Sequence, residues 1–192
     1  STGLAAGPTV EAARESALLE VIERDALVTS WYGGEPLRSR LGVPVAATVI
    51  AGDVISVGAA AARTTEAARE KSRLEALLGQ IYVRALVRRS PPPTRVVDFA
   101  DHARYYTDHP GKRAALDVLR VPVDAPACDP LDAVLRAGLR PWWRDLTTPD
   151  LASAGLHVVR VIVPGLAPLH AWEEWPFLGA LTLRRRDPHP LP

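Results

Sequence analysis

From Thr9 to about Thr29 the chain reads as one long helix with two unlike sides. Thr9 supplies an N-cap oxygen, and Glu11 stands near the positive end of the helix dipole. Leu18, Val21, Ile22 and Ala26 make an apolar side that must be packed. Residues three and four apart stack on a helix, so Glu20, Glu23, Arg24 and Leu27 share a different side. Two carboxylates that close repel each other unless a cation lies between them. A hard divalent ion such as Mg2+, keeping several waters and a phosphate, suits them. The plainer reading is a solvated face, its Glu20–Arg24 pair contributing roughly 0.2–0.5 kcal/mol.

The rest of the chain alternates helices and strands. Residues 45–50 and 54–58 are rich in β-branched side chains and flank a Gly-Asp turn, which predicts two strands. A second helix runs from about Thr65 to Val87, with Glu66 near its start and Arg88-Arg89 near its end. Pro91-Pro92-Pro93 stops it and forms a stiff connector within the fold. Helices are expected around Asp98–Thr107 and Pro130–Ala137, and strands at Val118–Val123 and His157–Val163. Residues 1–7 read as a small-residue loop. The expected class is therefore α/β (α+β layered), helices packed on a mixed β-sheet.

Composition excludes several functions. A formal charge of +1 gives no strong attraction to nucleic acid, and Arg184–Arg186 reads as a solvated strand end. Leu41–Ala62 is the nearest approach to a membrane span. Pro44 and Asp53 interrupt it, so buried strands explain it better. Cys128 is the single cysteine, which fits a reducing, cytoplasmic setting and, without a His partner, makes a poor nucleophile. His102, His109, His157, His170 and His189 lack short ligand spacing, so no metal site is expected from them. Tyr105 and Tyr106 are expected to pack. Trp142-Trp143, Trp172 and Trp175 read as core or interface residues, an exposed subset of which suits a peptide substrate. There is no GxxxxGK[ST] loop, so any ATP must be held through carboxylates and Mg2+.

The stretch STGLAAG…EAARESALLEVIERDA resembles a central motif of the YcaO superfamily, ATP-dependent enzymes that modify peptide backbones. Ser1, Gly3, Ala5, Gly7, Glu11, Ala12, Glu20, Glu23, Arg24 and Asp25 match in order, while Thr2 stands where asparagine is usual. The ending Asp187-Pro188-His189-Pro190-Leu191-Pro192 matches the proline-rich tail of the azoline-forming branch. Prolines stiffen such a tail before it docks, which lowers the entropy lost. Weaker echoes between them include VPVAATVI, VVDFADHARYY, LTT, LHVVRVIVPGLAPLH and LGALTLRR. Residues 1–192 thus resemble the C-terminal portion of a single YcaO-like domain. An earlier SxxExxER-type motif does not occur, and the absence of Met reads as a fragment.

The resemblance implies ATP and Mg2+ as cofactors. Glu20 and Glu23 become the metal ligands, and Arg24, Lys71 and Glu75 the nucleotide contacts. Lys71 and Glu75 occupy the place of the family's RxxxE element, with lysine where arginine is usual, and a surface i,i+4 pair remains the alternative for them. Gln80 is a weaker candidate. Pro188, Pro190 and Pro192 would order the catalytic centre. The implied reaction is cyclodehydration of a ribosomal precursor peptide to thiazoline or oxazoline. Thioamide or amidine formation is the nearest rival, and a non-catalytic peptide-binding scaffold the rival of another class. A leader-peptide-binding protein is an implied partner. Family members are often dimers, so a homodimer is a further expectation.

Overall fold

A computed structural model of the chain describes residues 2–121, 124–170 and 187–191. Strand β1 (Leu4–Gly7) leads into helix α1 (Val10–Gly33), which Thr9 caps by accepting from the Ala12 N–H. Gly34, at φ 72°, closes α1 in the left-handed conformation that an L side chain adopts only with strain. Strands β2 (Val45–Ala51) and β3 (Ile55–Ala61) form an antiparallel hairpin, and helix α2 (Thr65–Arg89) lies across it. Helix α3 (Phe99–Asp108), a 3-10 turn (Pro110–Leu116) and the short helix α4 (Asp117–Arg120) follow. Next come α5 (Pro130–Arg136), β4 (Trp142–Asp145), α6 (Pro149–Ser153) and β5 (His157–Ile162).

The layered α/β class stands. Among the described residues the pairing is antiparallel rather than mixed: β5 sits between β1 and β4 in one sheet, and β2–β3 form the other. Helix α1 joins the two sheets, packing on β1 and β5 and also on β3. It is therefore buried almost all round, and even Leu27 on the acidic side is fully enclosed. Its apolar side packs as expected, with Ile22 and Ala26 at 0% exposure.

Two expectations are corrected, and one strand is new. Residues 4–7 are a strand, although they lack β-branched side chains, because Leu4–Gly7 find a partner in Arg160–His157. Residues 118–120 are helical rather than the start of a strand, and 122–123 lie outside the described residues. There Leu116 and Leu119 turn inward at helical spacing, which outweighs the valines. Trp142–Asp145 form a strand by pairing with β5, a contact too distant in sequence to be read locally. Leu41–Ala62 is the expected hairpin, and among the described residues no helix is long and apolar enough to cross a membrane.

Candidate functional site

Helices α1 and α2 bring their acidic residues together over β3. Arg24 Nε lies 3.7 Å from Glu20 Oε1 and 3.4 Å from Glu23 Oε1. Across the strand, Glu75 of α2 accepts from the Ala59 N–H at 3.3 Å. Gly58 makes this approach possible. A Cβ there would strike the backbone at Ser72 O and Ala76 N, so only glycine lets α2 lie so close to β3. Three carboxylates and one guanidinium thus share a small region, although the two helices lie far apart in sequence.

Electrostatics mark Glu23. It is 6% exposed, and its carboxyl is pushed up to about 8. Burial is the main cause, and the Glu75 and Glu20 charges add to it against Arg24 and the Ala61 amide. Burial likewise raises Glu75, with Glu20 adding and Arg24, the Ala59 amide and Lys71 opposing. Glu23 Oε1 is buried and accepts no hydrogen bond. A buried, acceptor-only oxygen beside two further carboxylates fits a hard cation, and an all-oxygen donor set suits Mg2+ rather than a softer metal. Glu20, Glu23 and Glu75 are the residues that would hold it. Lys71 is exposed and near enough to influence both Glu75 and Glu15. Gln80 is engaged with Arg84 of its own helix at 3.5 Å.

The adjoining Asp25 has a structural task. It is 1% exposed, takes Arg40 Nε and Nη2 at 2.9 and 2.8 Å, and accepts from the Ala167 N–H at 2.8 Å. Arg40 also donates to Gly165 O. The pair ties the turn after β5 to the back of α1.

The tail docks beside this centre. Pro190 is buried, Pro188 half-buried, and Pro192 lies outside the described residues. Trp31 Nε1 donates to Asp187 O at 2.9 Å, and Tyr106 Oη donates to Pro188 O at 2.7 Å. Lys112 pairs with the Asp187 carboxylate at 2.9 Å. Tyr106 therefore packs, as expected, and also holds the tail.

Three of the histidines come together although their spacing in the sequence gives no sign of it. His102, His170 and His189 assemble in the core, one ring nitrogen of each lying within 4.8 Å of the others. His102 Nδ1 meets His189 O at 3.0 Å, His189 Nε2 meets His170 O at 2.9 Å, and Tyr32 Oη lies 3.3 Å from His170 Nε2. The His102 and His189 rings stack at 3.8 Å and 8°. Stacked rings keep their lone pairs in two parallel planes, and one ion cannot lie in both. These hydrogen bonds make the arrangement a clasp on the tail. Burial holds His189 well below the usual imidazole range, and the His102, His170 and Arg24 charges act the same way. Arg24 links the clasp to the carboxylates. No spacing signal could reveal it, since His102 and His189 are 87 residues apart.

A separate cleft of about 700 Å³ lies between the start of α1, α5 and β4, where Trp142 and Trp143 are 67% and 49% exposed. Arg14 sits 5.3 Å above the Trp143 ring. Cys128 is half-buried, and burial raises its thiol, as suits a non-nucleophile. Trp172, Trp175, Arg184–Arg186 and the LGALTLRR stretch lie outside the described residues.

A family model described as a YcaO cyclodehydratase that binds ATP and Mg2+ matches residues 1–40 and 36–167. Among solved structures, a heterocyclase in complex with substrate and cofactor aligns with a TM-score of 0.62 and 23% identity, over 88% of this chain and 28% of that one. The heterocyclase TruD aligns at 0.64 and 21%, over 92% and 30%. YcaO from Methanopyrus kandleri, bound with AMPPCP and Mg2+, aligns at 0.57 and 20%, over 97% and 59%. No curated protein sequence matches. The chain spans under a third of the two heterocyclases' length, and at these identities the likeness is one of fold. The family model covers most of the chain and carries ATP and Mg2+ as the family's cofactors, so the chain belongs to the YcaO family.

Proposed function

We propose that the chain is the C-terminal portion of a YcaO domain that makes azoline rings in a ribosomal precursor peptide at the expense of ATP. The reading rests on one observation: Glu20, Glu23, Glu75 and Arg24 converge, with the Glu23 oxygen buried and accepting no hydrogen bond. A Cys, Ser or Thr side chain of the substrate attacks the preceding amide carbonyl, and the resulting oxyanion takes the γ-phosphoryl group of ATP. Loss of phosphate then gives the ring, with ADP as co-product. An amide oxygen is a poor leaving group, which is the chemical reason for coupling to ATP.

Bound Mg2+ supplies charge neutralisation at the transferring phosphoryl group. Glu20, Glu23 and Glu75 hold and orient it. Arg24 lies between Glu20 and Glu23 and offers its remaining N–H groups to phosphate. Lys71, compact and exposed, contributes a point charge rather than a bidentate grip. Pro188 and Pro190 fix the tail near Arg24 and exclude water there. The microcin synthetase McbBCD is a complex of E. coli, also characterised with pro-MccB17 bound, and its fold likeness supports a precursor peptide and a partner protein here. A reducing, cytoplasmic setting suits Cys128.

Calorimetric titration of the chain with Mg2+ and AMPPCP tests the site directly. Glu23→Gln and Glu75→Gln should each weaken binding by at least about 10-fold. Because Glu23 sheds its proton on binding metal, wild-type affinity should rise about 10-fold per pH unit towards pH 8. Unchanged affinity in both variants would remove these residues from the site.

A further inference from the structure

Strand β4 stands at the end of its sheet, hydrogen-bonded to β5; among the described residues its other edge is unpaired. Antiparallel partners alternate between bonded and non-bonded pairs, and the Leu146 N–H donates to Val158 O at 2.8 Å. Trp142 and Arg144 therefore bond to β5, while Trp143 and Asp145 turn their N–H and C=O groups to the open edge. All four residues of β4 are exposed. Successive side chains point to opposite faces, so Trp142 and Trp143 flank that edge, one on each side of the sheet. Such an edge is a template for one more strand.

The edge opens on the cleft of about 700 Å³, which exposed Leu131 and Leu135 of α5 also line. Three arginines and three carboxylates line it too, so its charges balance. Arg63 is tied to Glu15 at 2.7 Å and to Asp129 at 2.8 Å, and Arg14 lies over Trp143. A surface of that kind draws neither an acidic nor a basic partner, and recognises by backbone pairing and apolar contact. What enters the cleft follows from where it leads. Glu15 of its wall stands five residues before Glu20 on α1, about 7.5 Å along the helix axis. Lys71, whose charge reaches Glu15, also reaches Glu75 of the carboxylate site. An extended chain advances about 3.3 Å per residue, so a short peptide segment spans that step. A substrate needs this continuity with the phosphoryl-transfer site. The inference rests on the function proposed for that site: we propose that β4 takes an uncharged, extended segment of the precursor peptide as an added strand, flanked by Trp142 and Trp143.

Fluorescence anisotropy of the full chain tests this, with an amidated probe peptide of glycine, valine, serine and threonine carrying a neutral dye. The probe should bind, and Trp143→Ala should weaken it at least about 10-fold. Circular dichroism should show that variant folded, because the ring is half exposed, and its affinity for Mg2+ and AMPPCP should be unchanged. A probe methylated on every amide nitrogen keeps its side chains but cannot donate to a strand edge, so it should fail to bind. Binding indifferent to methylation overturns strand addition, and binding indifferent to Trp143→Ala overturns the site. So does a probe that binds this chain but not the longer protein, since the rest of that protein then covers the edge. A chain that binds Mg2+ and AMPPCP but never the probe sinks this proposal and leaves the proposed function standing. One that takes the probe but never Mg2+ and AMPPCP overturns that function, and with it the peptide's role as substrate.

Discussion

Glu23 is a carboxyl whose surroundings favour its neutral form. At about 8, against an ordinary 4.5, it keeps a proton in the folded chain that the unfolded chain has already lost. Between those two values the folded state binds more protons, so the stability of the metal-free chain must fall as pH rises across that window. Glutamine cannot ionise. Glu23→Gln should therefore match wild type near pH 4.5 and exceed it by on the order of 3 kcal/mol at pH 7. Urea denaturation at both values without Mg2+ measures this, and equal stability at pH 7 would contradict the burial argument. Asp25, two positions on, is as buried but satisfied by Arg40 and the Ala167 amide. Adjacent acids in one motif thus differ in kind: one is a strut, and the other is buried with an oxygen that accepts no hydrogen bond. The sequence shows both as members of a single acidic cluster and cannot separate them, because the difference lies in what each oxygen meets.

At the scale of elements, helices α1, α2, α3 and α5 are written plainly. Thr9, Thr64, Asp98 and Asp129 each cap the helix that follows. The hairpin is equally local, two apolar runs around a short turn. Harder to read is how closely these elements approach. Gly58 decides that for α2 and β3, and with it the position of Glu75 against the Ala59 amide. Gly58→Ala would press a methyl group into the Ser72 and Ala76 backbone, so the helix must shift. The expected cost is about 1–3 kcal/mol in denaturant-measured stability, together with weaker nucleotide affinity as Glu75 moves away. A loss of stability with affinity intact would show that Glu75 does not need this spacing.

Across the whole molecule, the tail joins elements that share no local signal. Trp31 of α1, His102 and Tyr106 of α3 and the His170 carbonyl after β5 all hold residues 187–191. His189 is buried among His102, His170 and Arg24, with its imidazole held neutral. Its folded value is depressed, so the unfolded chain takes up the proton first as pH falls below about 6.5. The clasp should accordingly weaken below that pH, seen as faster amide exchange in α3, while His189→Phe should flatten the dependence. An unchanged pH profile in that variant would assign the effect to another group. The boundaries of the long helices, the hairpin and the Glu20–Glu23–Arg24 face were legible from residues alone, since each rests on local backbone preference or fixed helical spacing. The docking of the proline tail was expected only from the family resemblance. The meeting of Glu75 with Glu23, the burial that keeps Glu23 protonated and the three-histidine clasp were settled only by tertiary packing. Dielectric and proximity are properties of space, and no spacing along a chain encodes them.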